Sequence, residues 1–136
     1  MRQANGGGLD TIAAILAADS GNVEAVKQWV GKLFEEPSSR FYLATLHEKP
    51  VGCFRLDDMG DQVGIYAFEV RMGYRGLGYG RQMLEEAVRT VRAESQKRVM
   101  LDVETDNTNA IGLYLSCGFE VKTTYDYYGV ENVSRK

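Results

Sequence analysis

"YRGLGYGRQMLEEAVRTV", Tyr74 to Val91, decides how the rest of this chain is read. Glycine recurs at Gly76, Gly78 and Gly80, and a run without glycine or proline follows. In that run Met83, Leu84, Ala87, Val88 and Val91 fall on one face at helical spacing, while Glu85, Glu86, Arg89 and Arg92 fall outside it. The spacing predicts a helix over residues 80–93 entered through bare backbone. A helix N-terminus leaves its first N–H groups without intrahelical acceptors and carries partial positive charge. Glycines there let an anion approach, and Arg75 and Arg81 flank the stretch as added positive charge. The plain alternative is a tight turn.

Two familiar phosphate seats do not fit. Gly73 and Gly78 have the P-loop spacing, but Tyr79 and Gly80 stand where Lys and Ser or Thr belong. The GxGxxG fingerprint begins at Gly76 and Gly78 and fails at Arg81.

Outward from this stretch, residues 40–46, 50–56 and 63–70 are rich in β-prone side chains. Short polar turns at 47–49 and 57–61 join them, which predicts an antiparallel meander. Before them, Leu9, Ile12, Ala13 and Leu16, then Val23, Val26, Val30, Leu33 and Phe34, form two helical stripes. After the glycine-led helix come a strand at 98–103, a short helix ended by Gly118, and a strand at 119–125. The fold class is α/β (α+β mixed), order ααβββαβαβ. The strand–helix–strand unit places 63–70 and 98–103 parallel within a mixed sheet. Residues 1–8, with three consecutive glycines, read as a disordered tail or junction, and 9–136 as a single domain.

Composition narrows the function. The 136 residues are 44% hydrophobic and 26% charged, with a net charge of −3. That balance suits one globular domain and argues against nucleic acid as a partner. No apolar run approaches the ~20 residues of a membrane-spanning helix, so no membrane partner is expected. Cys53 and Cys117 lack any metal-binding spacing and read as reduced core cysteines of a cytoplasmic protein, with no metal site.

Two motifs on the expected elements change the weight of these readings. Arg75, Gly78 and Gly80 fit Q/R-x-x-G-x-G/A, and Asn107 to Phe119 spells N-x-x-A-I-x-L-Y-x-x-x-G-F. In this order and at this distance they resemble the GNAT acetyltransferases, over roughly residues 40–128. In wording they are nearest to ribosomal-protein N-terminal acetyltransferases. The resemblance implies acetyl-CoA as cosubstrate and an amine acceptor: a small molecule, a peptide N-terminus or a lysine. It implies a pyrophosphate seat on backbone from Gly76 to Arg81, and contact with the cofactor at Asn107, which also suits a helix cap. It further implies that the strand ending Phe68-Glu69-Val70 splays from its parallel neighbour to admit the pantetheine arm. The backbone N–H near Val70 would face the developing oxyanion.

Acyl transfer to an amine needs a base for the ammonium and an acid for the thiolate. The resemblance makes Tyr114 the general acid; a core aromatic is the alternative. Two carboxylates compete as base. Asp102 precedes Tyr114 by the spacing of the N-terminal acetyltransferases and would act through water. Glu69 ends the strand beside the acyl group, but strict alternation puts it on the face of Val63, Ile65 and Ala67, so a bulge would be needed to re-aim it.

The family's first and last strands have no counterpart in this reading, and Tyr125, Tyr127 and Tyr128 crowd the final stretch before a weak strand at 129–136. Three expectations follow. A bare sheet edge would favour a homodimer; the chain would be a fragment of a longer protein; or it would be a catalytically weak acyl-CoA-binding or interaction module, half of a two-domain acetyltransferase.

Overall fold

The computed structural model describes residues 2–3, 8–18, 21–104, 108–124 and 127–132, with side chains at 8–18, 21–101 and 111–119. Among these residues eleven elements follow one another. They are β1 (Arg2–Gln3), α1 (Leu9–Leu16), α2 (Val23–Phe34), β2 (Ser39–Leu46), β3 (Lys49–Asp58), β4 (Gln62–Val70), α3 (Tyr79–Glu94), β5 (Arg98–Glu104), α4 (Thr108–Ser116), β6 (Phe119–Thr124) and β7 (Tyr127–Asn132). Local chemistry explains the boundaries. Asn22 caps α2 by accepting from the Ala25 N–H at 3.2 Å. His47 and Glu48, both at positive φ, close the β2–β3 hairpin in two residues. Gly118, at φ 92°, stops the chain after α4.

The strands form one seven-stranded sheet, β1-β2-β3-β4-β5-β7-β6. β4 and β5 are parallel, joined by α3, and the other described pairings are antiparallel. The mixed α/β architecture is the expected one.

Its first and last strands are present, which corrects the sequence reading. Arg2 and Gln3 pair with Leu43 and Tyr42. Two residues are too short for any period to register, and this strand exists because the β2 edge takes it up. β7 lies between β5 and β6 and pairs with both. Its Gly129, Glu131 and Asn132 have poor β propensity, but bonding on two sides outweighs it. The missing strands were the argument for a half-enzyme, and that argument falls; among the described residues β1 covers the β2 edge at Tyr42 and Leu43 alone.

Each face of the sheet has its own core. On one, Ile12, Ile15 and Val30 of α1 and α2 cover Phe41, Leu43 and Cys53. On the other, Met83, Leu84, Ala87 and Val91 of α3 cover Tyr42, Phe54, Leu56, Ile65, Val99 and Leu101, with α4 packed beside them through Ile111, Leu113 and Tyr114. Fully burying side chains of this size contributes ~1.5–3 kcal/mol each. α3 and α4 therefore share a face with the end of β4, where the motifs meet.

Candidate active site

The loop from β4 to α3 is shaped by its glycines. Gly76 and Gly78 have φ of 78° and 88°, in the left-handed region that other residues resist. A Cβ built on either would meet nothing within 4 Å. Packing within the protein therefore does not demand glycine here; backbone conformation does, and the space above stays open. α3 starts immediately after Gly78, which has no side chain to cap it, and its first turn carries no acidic residue. The N–H groups of Tyr79, Gly80 and Arg81 have no acceptor one turn back. Gly80 serves packing, since a Cβ there would lie 3.6 Å from Val70 and 3.7 Å from Leu113.

The flanking arginines have protein partners. Arg75 donates through Nε to the Val70 carbonyl at 2.8 Å and through Nη2 to Glu69 at 3.1 Å. Arg81 donates to Ser116 Oγ at 2.6 Å and approaches Cys117 Sγ at 3.6 Å, tying the first turn of α3 to the end of α4.

Beyond the loop β4 leaves β5. The two pair from Gln62↔Arg98 to Gly64↔Met100 and no further. A cleft of about 250 Å³ opens there, lined by Ile65, Tyr66, Ala67, Phe68, Leu101 and Tyr114. On the other side of β4 the register with β3 slips: Arg55 faces Tyr66, yet Cys53 faces Glu69. The extra residue is a β-bulge, and within it Ala67 has φ 52°. For a non-glycine residue this geometry costs about 1–3 kcal/mol. The bulge turns Phe68 into the α3/α4 core, 6.3 Å from Phe54, and sets Glu69 opposite Cys53 on the α1/α2 face. Glu69 thus leaves the face of Val63 and Ile65 to which alternation assigned it.

Tyr114 forms one wall of the cleft, its ring 6.1 Å from that of Phe119. Burial, and secondarily the charge of Glu69, push its phenol above the ordinary 10.0, so it stays protonated at neutral pH. Tyr114, Phe68, Glu69, Val70 and the glycine loop therefore converge on the end of β4. Asp102 pairs with Gly129 through the backbone, but its side chain, like Asn107 and Tyr125, lies outside the described residues. Ile65, Tyr66, Ala67 and Leu101 were not anticipated. Leu101 follows the last paired β5 residue, so only the strand register could have revealed it.

Residues 11–119 match the acetyltransferase (GNAT) family. The chain belongs to the GNAT acetyltransferases. Its curated relatives in that family include a mycothiol acetyltransferase of Corynebacterium glutamicum, 34% identical over 47% of this chain and 22% of the relative. N-alpha-acetyltransferase 30 of Saccharomyces cerevisiae is 30% identical over 58% of this chain and 48% of its own length. The matches thus span about a fifth to a half of these relatives. Among solved structures, a GNAT acetyltransferase of Streptococcus pneumoniae superposes with a TM-score of 0.75 at 22% identity, covering 96% of this chain and 95% of that one. A mutant spermidine N-acetyltransferase of Vibrio cholerae gives 0.76 at 16%, covering 96% and 90%. At these identities the superpositions show the GNAT fold. Among the described residues, no group of His, Cys, Asp and Glu could hold a metal, and no helix is long and apolar enough to cross a membrane.

Proposed function

We propose that this GNAT domain transfers an acetyl group from acetyl-CoA to a primary amine by direct attack. The observation that carries the reading is the cleft between β4 and β5, walled by a half-buried, protonated Tyr114, on the strand that leads into the bare N-terminus of α3. The residues present suit the cosubstrate. The free N–H groups of Tyr79 to Arg81, under open space at Gly76 and Gly78, would hold the diphosphate. The β5-facing edge of β4 beyond Gly64, where the register with β5 ends, and the apolar walls of the cleft would hold the pantetheine arm. Bound there, acetyl-CoA supplies an activated thioester.

The protein's own groups then have distinct tasks. An amine of ordinary pKa ~10.4 arrives as an ammonium ion and must lose a proton before it attacks. We assign that proton to Glu69, which the bulge turns to the α1/α2 face, or to Asp102 of β5 through a water. As the C–N bond forms and the C–S bond breaks, the backbone N–H near Val70 meets the oxyanion and the Tyr114 hydroxyl protonates the thiolate. Acetyl-CoA turnover over a panel of polyamines, peptide N-termini and lysine peptides tests the reading. It is abandoned if acetyl-CoA binds but no amine is acetylated. Comparing pH–rate profiles of Glu69→Gln and Asp102→Asn assigns the base: the acid limb disappears with the residue that takes the proton.

A further inference from the structure

The bulge that aims Glu69 and Phe68 is built on alanine at φ 52°, a conformation alanine does not choose by itself. Something must over-determine it. Directly across the ladder, Cys53 is fully enclosed among the side chains of the α1/α2 core, and its Sγ lies 3.6 Å from the Ala67 carbonyl oxygen. We infer that Cys53 is a positioning residue: its thiol, donating to the Ala67 carbonyl, holds the bulge that sets Glu69 on one face of the sheet and Phe68 in the wall of the cleft.

Three observations carry the inference. Cys53 is the register partner of Glu69, so the residue that anchors the bulge is also the one opposite the carboxylate it re-aims. At 0% exposure the Cys53 thiol has no bulk water to donate to in place of the Ala67 carbonyl. The donor is also permanent. Burial, then the charge of Glu69, push the thiol up to about 12, so the sulfur keeps its proton throughout the working range. The inference rests on the acetyltransferase reading for its effect on rate, and on the fold alone for its effect on the bulge.

The test uses a pair of substitutions with one shape. Cys53→Thr keeps a hydroxyl donor, and Cys53→Val replaces that hydroxyl with a methyl group. We expect Cys53→Val to lower kcat about tenfold or more, towards the ~10²-fold that an ångström of misplacement costs, with acetyl-CoA affinity nearly unchanged. Cys53→Thr should retain most of kcat. Hydrogen exchange at the amides of residues 66–70 should quicken in the Val protein alone. Adding Ala67→Gly to Cys53→Val should recover kcat and protection, because glycine takes positive φ without strain. If the branched residues unfold the domain, Cys53→Ser against Cys53→Ala gives the same contrast with smaller side chains. Equal kcat and equal exchange in donor and non-donor variants would overturn the inference, as would no recovery on adding Ala67→Gly. If the wild-type protein acetylates no amine, the catalytic reading fails on that result alone, and exchange at residues 66–70 still decides whether the thiol holds the bulge.

Discussion

β2–β3 and β4–β5 lie in the same sheet and behave oppositely. β2 and β3 pair along their whole length, from Ser39↔Asp57 to Leu46↔Lys49, with one irregularity near Ala44. Phe41, Phe54 and Leu56 are sealed between the helical layers on either side. β4 and β5 pair at one end and then part, leaving the cleft walled by Tyr114. Continuous pairing satisfies backbone groups and encloses side chains. Broken pairing leaves backbone groups and space for a ligand. Apart from Cys53, which meets the β4 bulge, substitutions in the first region should cost stability, and those in the second should cost binding or turnover.

The sharpest probe of that contrast is Tyr114→Phe. A positioned general acid contributes ~10²–10⁴-fold, so kcat with an accepted amine should fall by at least the lower part of that range. Acetyl-CoA affinity should hold, because the ring remains against Phe119. A rate within about twofold of wild type, far short of a general acid's contribution, makes Tyr114 a packing residue. The phenol is held above its ordinary 10.0, so Tyr114 should add no alkaline limb to the rate profile below that pH.

Leu56→Ala tests the sealed region. Removing a fully buried leucine costs about 2–5 kcal/mol, seen as a lower denaturation midpoint. The remaining folded protein should keep its kcat, and a large loss of kcat at full folding would break the contrast. Gly78→Val belongs to the open region. A side chain at φ 88° costs roughly 1–2 kcal/mol and fills the space above the α3 N-terminus. Calorimetry should show acetyl-CoA affinity falling tenfold or more, on the order of 1.4 kcal/mol, in a folded protein. Unchanged affinity would remove the diphosphate seat from this loop.

The smallest effect is expected at the rim of the sealed region. Arg40 donates twice to Glu94, at 2.6 and 2.7 Å, linking β2 to the end of α3. Both side chains reach solvent, so a double-mutant cycle should return about 0.2–1 kcal/mol. The hydrogen bond from Arg40 holds the Glu94 carboxyl below the ordinary 4.5. A depressed carboxylate stabilises the fold above that value, and the contribution is lost as pH falls through the lower folded one.

Much of the candidate site was legible because its signals are local. The glycines, the apolar stripe of α3 and the Asn107–Phe119 motif are read within a few residues of themselves. The α1, α2 and β2–β4 boundaries came within two residues for the same reason. Strand propensity failed where pairing decides structure. Arg2–Gln3 has too little sequence to show a pattern, and Tyr127–Asn132 is a strand because two neighbours hold it. Glu69 shows the limit most clearly. Alternation buried it, and only the family resemblance suggested a bulge.

By itself the sequence determined which segments are helices and where bare backbone precedes α3. Those properties follow from the spacing of apolar residues and from the conformational freedom of glycine, both carried along the chain. Tertiary structure alone decided where β4 parts from β5, that Ala67 takes a positive φ, and that Cys53 stands opposite Glu69. Register is a relation between strands distant in sequence, and a single extra residue in one of them reverses the face of every side chain that follows.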